Sequence, residues 1–260
     1  MTTTLPPLVE FDPDDEAQPR EGSADPEGSA EPSGRDDGTD EPAVVRTSLV
    51  AVAAILSGLA GVWMVTRLFR GGLTPPLYGI AGLVLGVGPV ILSYRMRRPA
   101  ALQYLVLPAA VAVGAALATA GGGGEGSLPS LVADAIRSGG LSQPPILFEP
   151  GWRFLTVVLF ALVGGAAAAT AVSLARPKLA VAVPLPVTFG AALLQPEGSE
   201  VLASGVAIVL VVGGLAVAYG ADLATKGVVG GGFEIRRLAR GVVLLTGVVA
   251  ALVGLAQTDL

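Results

Sequence analysis

Between Thr47 and Ala256 the chain is a succession of long runs almost free of charge, and this limits its folds more than any other feature. A run of about 20 apolar residues matches the hydrocarbon core of a bilayer as a helix, with a usual range of roughly 17–25. Seven runs have that character: Thr47–Val65, Leu77–Ser93, Ala101–Ala120, Phe154–Leu174, Leu179–Leu194, Val201–Gly220 and Leu238–Ala256. None contains an acidic residue, and the one basic residue among them, Arg240, sits near the start of the last run, where it can snorkel to the interface. Backbone in lipid must satisfy its own hydrogen bonds, which leaves helices or closed barrels. No alternating barrel pattern is present. The expected fold class is all-α: a polytopic bundle of about seven transmembrane helices behind a disordered acidic tail.

The runs are not equally secure. Leu179–Leu194 is short and holds Pro184 and Pro186, which remove backbone donors and should kink it or leave it re-entrant. The turn Ala175-Arg-Pro-Lys178 is so short that its flanking helices should form a tight antiparallel hairpin. Tyr94, Trp152 and Tyr219 lie at the ends of runs, where interfacial aromatic residues are expected.

Charge divides the chain in two. Residues 1–46 hold thirteen acidic and three basic residues; the remaining thirteen basic and eight acidic residues lie in 47–260. The overall charge of −5 therefore describes neither part. The segment 1–46 is rich in Pro, Gly, Ser, Asp and Glu and lacks the apolar run of a signal peptide. It cannot bury enough apolar surface to offset chain entropy and is read as a solvated tail, with Ser23, Ser29, Ser33 and Thr39 as candidate phosphorylation sites.

The basic residues of the membrane region orient it. With a cytoplasmic N-terminus, the inner connections carry Arg46, Arg95, Arg97, Arg98, Arg176, Lys178, Lys226, Arg236, Arg237 and Arg240, ten in all. The outer ones carry four: Arg67, Arg70, Arg137 and Arg153. Positive charge favours the cytoplasmic side, so seven spans would deliver the C-terminus outside. Arg67 and Arg70 run against this bias. The segment from Gly227 to Gly241 is expected to anchor by positive charge, or to lie as an interfacial helix on anionic lipid.

The outer connection from Gly121 to Arg153 is long. Leu128, Leu131, Val132, Ala135 and Ile136 recur with helical spacing and form one apolar face. Ser127 is placed to cap this helix, Pro129 suits its first turn, and Gly139-Gly140 can end it. Such a helix can lie on the membrane surface, cover the bundle, or contact an extracytoplasmic domain.

The chain has no cysteine and no histidine. Thiol–imidazole and Ser-His-Asp chemistries lack their parts, and a zinc site would need carboxylates alone. The glycine-rich stretches Gly121–Gly126 and Gly230–Gly232 lack the Lys-Ser/Thr of a phosphate loop and read as flexible connections. Gly164-Gly165, Gly213-Gly214 and Ala166–Ala169 should let helices approach closely. No ionisable residue lies near the centre of a run, where ion and proton pathways usually place one. The polar groups there, such as Gln103, Thr170, Ser173, Thr188 and Ser204, are expected to satisfy backbone or neighbouring helices. No cofactor is implied, and the scattered basic residues give no nucleic-acid surface.

The loop helix LPSLVADAIRSG, Pro144-Pro145, a helix ending Ala171-Val-Ser-Leu-Ala-Arg-Pro177, and Leu179-Ala-Val-Ala-Val-Pro184-Leu-Pro186 form a familiar series. This stretch, Leu128 to Leu194, resembles the N-terminal membrane region of bacterial TgpA-type transglutaminase-like proteins, actinobacterial ones especially. The terminal helix ending Ala256-Gln-Thr-Asp-Leu260 looks like the entry into such a protein's extracytoplasmic domain. The resemblance implies a papain-like Cys-His-Asp domain outside the membrane. This sequence has neither residue type, stops where that domain would begin, and carries Ala168 near the place of an expected acidic residue. No catalytic residue carries over. The expected role is a non-catalytic anchor or scaffold in the cell membrane, associated with lipid and with an extracytoplasmic transglutaminase-like or envelope partner. The alternative is a permease component for a neutral or apolar substrate, and an intramembrane enzyme ranks third.

Overall fold

The computed structural model describes residues 41–96, 101–120, 126–174, 176–196 and 198–225. The tail up to residue 40 and the run Leu238–Ala256, with the basic segment before it, lie outside the described residues. The chain order is α1 (Glu41–Thr66), β1 (Phe69–Arg70), α2 (Thr74–Arg95), α3 (Ala101–Tyr104), α4 (Val106–Thr119) and α5 (Leu128–Leu141). There follow β2 (Ile146–Leu147), α6 (Pro150–Val172), α7 (Pro177–Ala182), α8 (Leu185–Ala192) and α9 (Glu200–Thr225). Among the described residues five helical stretches are long and apolar enough to cross a membrane: Thr47–Thr66, Thr74–Arg95, Leu102–Thr119, Pro150–Val172 and Glu200–Asp222.

The helices overrun the apolar runs at their ends. Helix α1 already holds Glu41 to Arg46, on the tail side of the hydropathy boundary. Helices α2 and α6 begin at Thr74 and Pro150, before the runs at Leu77 and Phe154. Proline suits a first turn, where the missing N–H has no intrahelical partner, and Pro75, Pro76 and Pro150 use that position. Hydropathy marks where a helix is apolar, not where its hydrogen bonding starts.

Two runs are broken. Pro184 cannot donate to Ala180, nor Pro186 to Ala182, so the ladder fails between α7 and α8. The chain bridges the gap with Val183 N–H to Ala180 O at 3.3 Å and Thr188 N–H to Pro184 O at 3.0 Å. The same chemistry interrupts Ala101–Ala120, which the sequence reading treated as continuous. Pro108 leaves the Tyr104 carbonyl without its donor, and the helix breaks at Leu105.

Between lipid-facing helices there is little hydrophobic drive, so close packing carries much of the association. Helix α6 lies along α2, and α9 along α1. A β-carbon on Gly82 would sit 2.4 Å from the Val157 carbonyl oxygen, and one on Gly86 2.2 Å from that of Ala161. Gly164 makes the reciprocal approach to the Leu83 carbonyl oxygen, 2.9 Å away, and Gly214 lies 3.2 Å from that of Ala53. Val62, Leu83, Val87, Val106 and Phe160 fill the space between α1, α2, α4 and α6.

The α7–α8 pair runs along α1. Val181 packs with Ala53 and Ala218, and farther on Ala191 packs with Met64 and Ala203. Past α8, Gln195 donates from Nε2 to Met64 O at 2.8 Å and Ala191 O at 3.0 Å. The pair therefore reaches from the Arg176 turn to the end of the bundle where α1 finishes. The buried hydroxyls of Ser57 and Thr188 bond to Ala54 O and Pro184 O of their own helices, and the more exposed Thr170 to Ala166 O. Gln103 Nε2 reaches Ser173 Oγ at 3.2 Å.

Candidate functional site

The two ends of the bundle differ in kind. At the end where α1 finishes and α2 begins, β1 pairs in parallel with β2, with Phe69 opposite Ile146 and Arg70 opposite Leu147. Gly71 and Gly72 then take φ values of +145° and +58° and turn the chain back into α2. A side chain is strained at such angles, and a β-carbon on Gly71 would also meet Pro75 Cδ at 3.3 Å. This turn keeps Arg70 beside Thr74.

Aromatic rings lock the ribbon to the helices. Phe69 meets Phe148 edge-on at 5.0 Å and Trp152 at 5.4 Å, and Tyr78 meets Phe148 at 5.4 Å. The Tyr78 hydroxyl donates to Leu117 O at 3.1 Å, tying α2 to α4. Arg67 lies over the Trp63 ring at 5.0 Å.

Helix α5 is the loop helix expected from sequence, and its apolar face divides. Ala135 is fully buried; Leu128, Leu131 and Val132 are half-buried; Ile136 is 58% exposed. The helix packs on the start of α6, where a β-carbon on Gly151 would lie 2.1 Å from Leu131 O and 2.6 Å from Ala135 Cβ. Two expectations are corrected. Ser127 occupies the N-cap position, but its hydroxyl bonds to Ser130 Oγ at 3.3 Å and caps no backbone N–H. Gly139-Gly140 do not end the helix, which continues to Leu141. Gly139 is there for proximity: its β-carbon would fall 2.4 Å from Trp152 Cζ2. The Ser138 hydroxyl has two acceptors in reach, Ala135 O at 3.0 Å and Glu149 Oε2 at 3.2 Å, the second at the N-cap of α6.

A shallow pocket of about 370 Å³ opens at this ribbon end, lined by Arg70, Gly71, Thr74, Leu147, Phe148, Glu149 and Arg153. Arg153 is steered by its Nε–H bond to Phe148 O at 3.3 Å. Sequence reading counted Arg70 and Arg153 only as charges on the less basic side. Their convergence depends on the ribbon, and two-residue strands leave no periodic signal. No group of three acidic, His or Cys residues that could hold a metal occurs among the described residues.

The opposite end holds Arg95, Arg176 and Lys178, three of the basic residues expected on the inner side. Arg95 closes α2 near carbonyls that favour a cation, and Arg176 precedes α7. Lys178 Nζ lies 2.8 Å from Asp222 Oδ2 and 4.8 Å from the Tyr219 ring centre, joining α7 to α9. The hydrogen bond to Asp222 raises the Lys178 pKa above its ordinary 10.5, with a further Coulombic contribution from that carboxylate, against a smaller opposing effect of burial. Arg97, Arg98, Arg236, Arg237 and Arg240 lie outside the described residues. The chain matches no known family model, no curated protein and no solved structure.

Proposed function

We propose that the chain is a non-catalytic, multi-pass scaffold of the cell membrane that holds a partner at its ribbon end, on the extracytoplasmic side. The observation that carries this reading is the construction of that end. Ribbon, aromatic cluster and α5 make a fixed platform rather than a loose loop, and the platform leaves Ile136 and Leu141 uncovered, Leu141 at 85% exposure. Exposed apolar side chains on a rigid base mark protein or membrane contact. The partner class that fits the sequence resemblance is an extracytoplasmic transglutaminase-like or envelope domain, which would supply the thiol and imidazole this chain lacks. The backbone-to-backbone packing of α2 on α6 supports a scaffold over a permease, because it fills the space a substrate path would need.

The test is a photo-crosslinking amino acid placed at Leu141 in cells, with one at the lipid-facing Leu215 as reference. An adduct specific to Leu141, identified by mass spectrometry as a protein with an extracytoplasmic enzyme or envelope domain, is the expected result. Adducts only to lipid or to a second copy would remove the partner. Uptake of a neutral solute by liposomes holding the purified chain, absent from empty liposomes, would replace the scaffold with the permease.

A further inference from the structure

We infer that the ribbon-end pocket is a binding site for the phosphate group of an anionic phospholipid. Three observations converge. First, the pocket is lined by two arginines on separate elements, Arg70 on β1 and Arg153 on α6, and by Thr74. Among the described residues the Arg70 side chain has no ion-pair or hydrogen-bond partner, and the Arg153 guanidinium spends only its Nε–H, on Phe148 O. The one carboxylate on the lining, Glu149, lies 3.2 Å from the Ser138 hydroxyl and keeps its charge, so the lining holds two positive charges against one negative. The fork of an arginine matches phosphate oxygens, and such charge-assisted bonds are strong at a membrane interface.

Second, exposed apolar side chains adjoin the pocket along the chain. Leu73 is 81% exposed beside Thr74, and Leu77, Ile80 and Val84 continue along α2 as exposed residues at helical spacing. Leu147 stands exposed at the rim. A molecule with a phosphate in the pocket can lay an acyl chain along this stripe. Free phosphate would use the arginines and leave the stripe without a role, so the occupant assigned is the lipid. Third, these arginines sit on the end that the positive-inside bias should leave poor in charge. Arg137, on the same side, is paired with Asp134 at 2.9 Å, so it adds little free charge there. A phosphate ligand accounts for the unpaired pair, whichever leaflet the ribbon end meets and whether or not a protein partner docks on α5.

The experiment uses the full chain with Trp63→Phe in phosphatidylcholine nanodiscs doped with fluorescent phosphatidylglycerol, reading energy transfer from Trp152, the remaining tryptophan, next to Arg153 of the pocket. The expected result is saturable enrichment of phosphatidylglycerol over phosphatidylcholine around the protein. Arg70→Gln with Arg153→Gln should lower that preference about tenfold, Arg153→Lys should lower it less, and Arg137→Gln should not change it. Arg70→Gln alone removes an exposed side chain without internal partners and keeps the test valid if the double variant unfolds; it should cost severalfold. Unchanged enrichment in Arg70→Gln overturns the site. Displacement of the lipid signal by millimolar inorganic phosphate, with equal binding of phosphate in lipid-free micelles, overturns the assignment to lipid.

Discussion

Gly86 and Gly88 stand two residues apart on α2 and face different surroundings. A β-carbon on Gly86 would lie 2.2 Å from the Ala161 carbonyl oxygen, whereas one on Gly88 would meet nothing within 4 Å. Gly86→Ala should therefore push α2 from α6 and cost about 1–3 kcal/mol, the usual penalty of overpacking. Gly88→Ala should be neutral or slightly stabilising, since alanine is the better helix former in water. Thermal unfolding in one detergent compares them, and equal melting temperatures would discard the close-packing account. Gly164 and Gly214 were readable as approach points because paired glycines in an apolar run have few other uses. Gly86 was not, because the face of a helix that meets its neighbour is set by the fold.

At the scale of elements, proline explains both what sequence reading anticipated and what it missed. Pro184 and Pro186 stand together and announced the break in Leu179–Leu194. Pro108 stands alone, and the break at Leu105 lies three residues upstream, next to the Tyr104 carbonyl that loses its donor. The broken α7–α8 pair is held to α9 by Lys178 and Asp222. Because the folded-state pKa of Lys178 lies above its ordinary 10.5, the stabilisation from this pair is complete below pH 10.5. It is lost as pH rises through the higher folded value. Melting temperature should show a Lys178-dependent fall on that alkaline limb, and Lys178→Met should remove this component. An identical alkaline profile in the variant would show that the pair contributes nothing. The loop helix was legible from its 3.6-residue period, down to the apolar face. Its end was misplaced because glycine serves close approach as well as termination, and only the position of Trp152 decides between them.

For the molecule as a whole, sequence reading anticipated an all-α bundle with five of its long apolar helices near their expected places. The pocket was invisible because it joins residues from β1, α2, β2 and α6 that no local pattern connects. The absence of cysteine gives a clean test of arrangement in the membrane. Single cysteines at Ser142 and Glu200 mark the ribbon end, and one at Arg176 marks the other. A membrane-impermeant maleimide on intact cells should label the first two and should reach Arg176→Cys only after permeabilisation. Labelling of Arg176→Cys alone would invert the orientation, and protection of Glu200→Cys beside a labelled Ser142→Cys would make α7–α8 re-entrant.

The parallel ribbon also sets an order of events during synthesis. Phe69 is made early, and its partner Ile146 emerges only after α2, α3, α4 and α5 have been released. Closing so long a loop costs entropy that local helix contacts do not. Until then the backbone of β1 must be held by water or by the translocation machinery. The ribbon is thus a late latch. A nascent chain stopped before Ile146 would present α1 and α2 with the Phe69 ring still lacking Phe148 and Trp152. The quality-control proteases of the membrane would meet that intermediate with its ribbon end open.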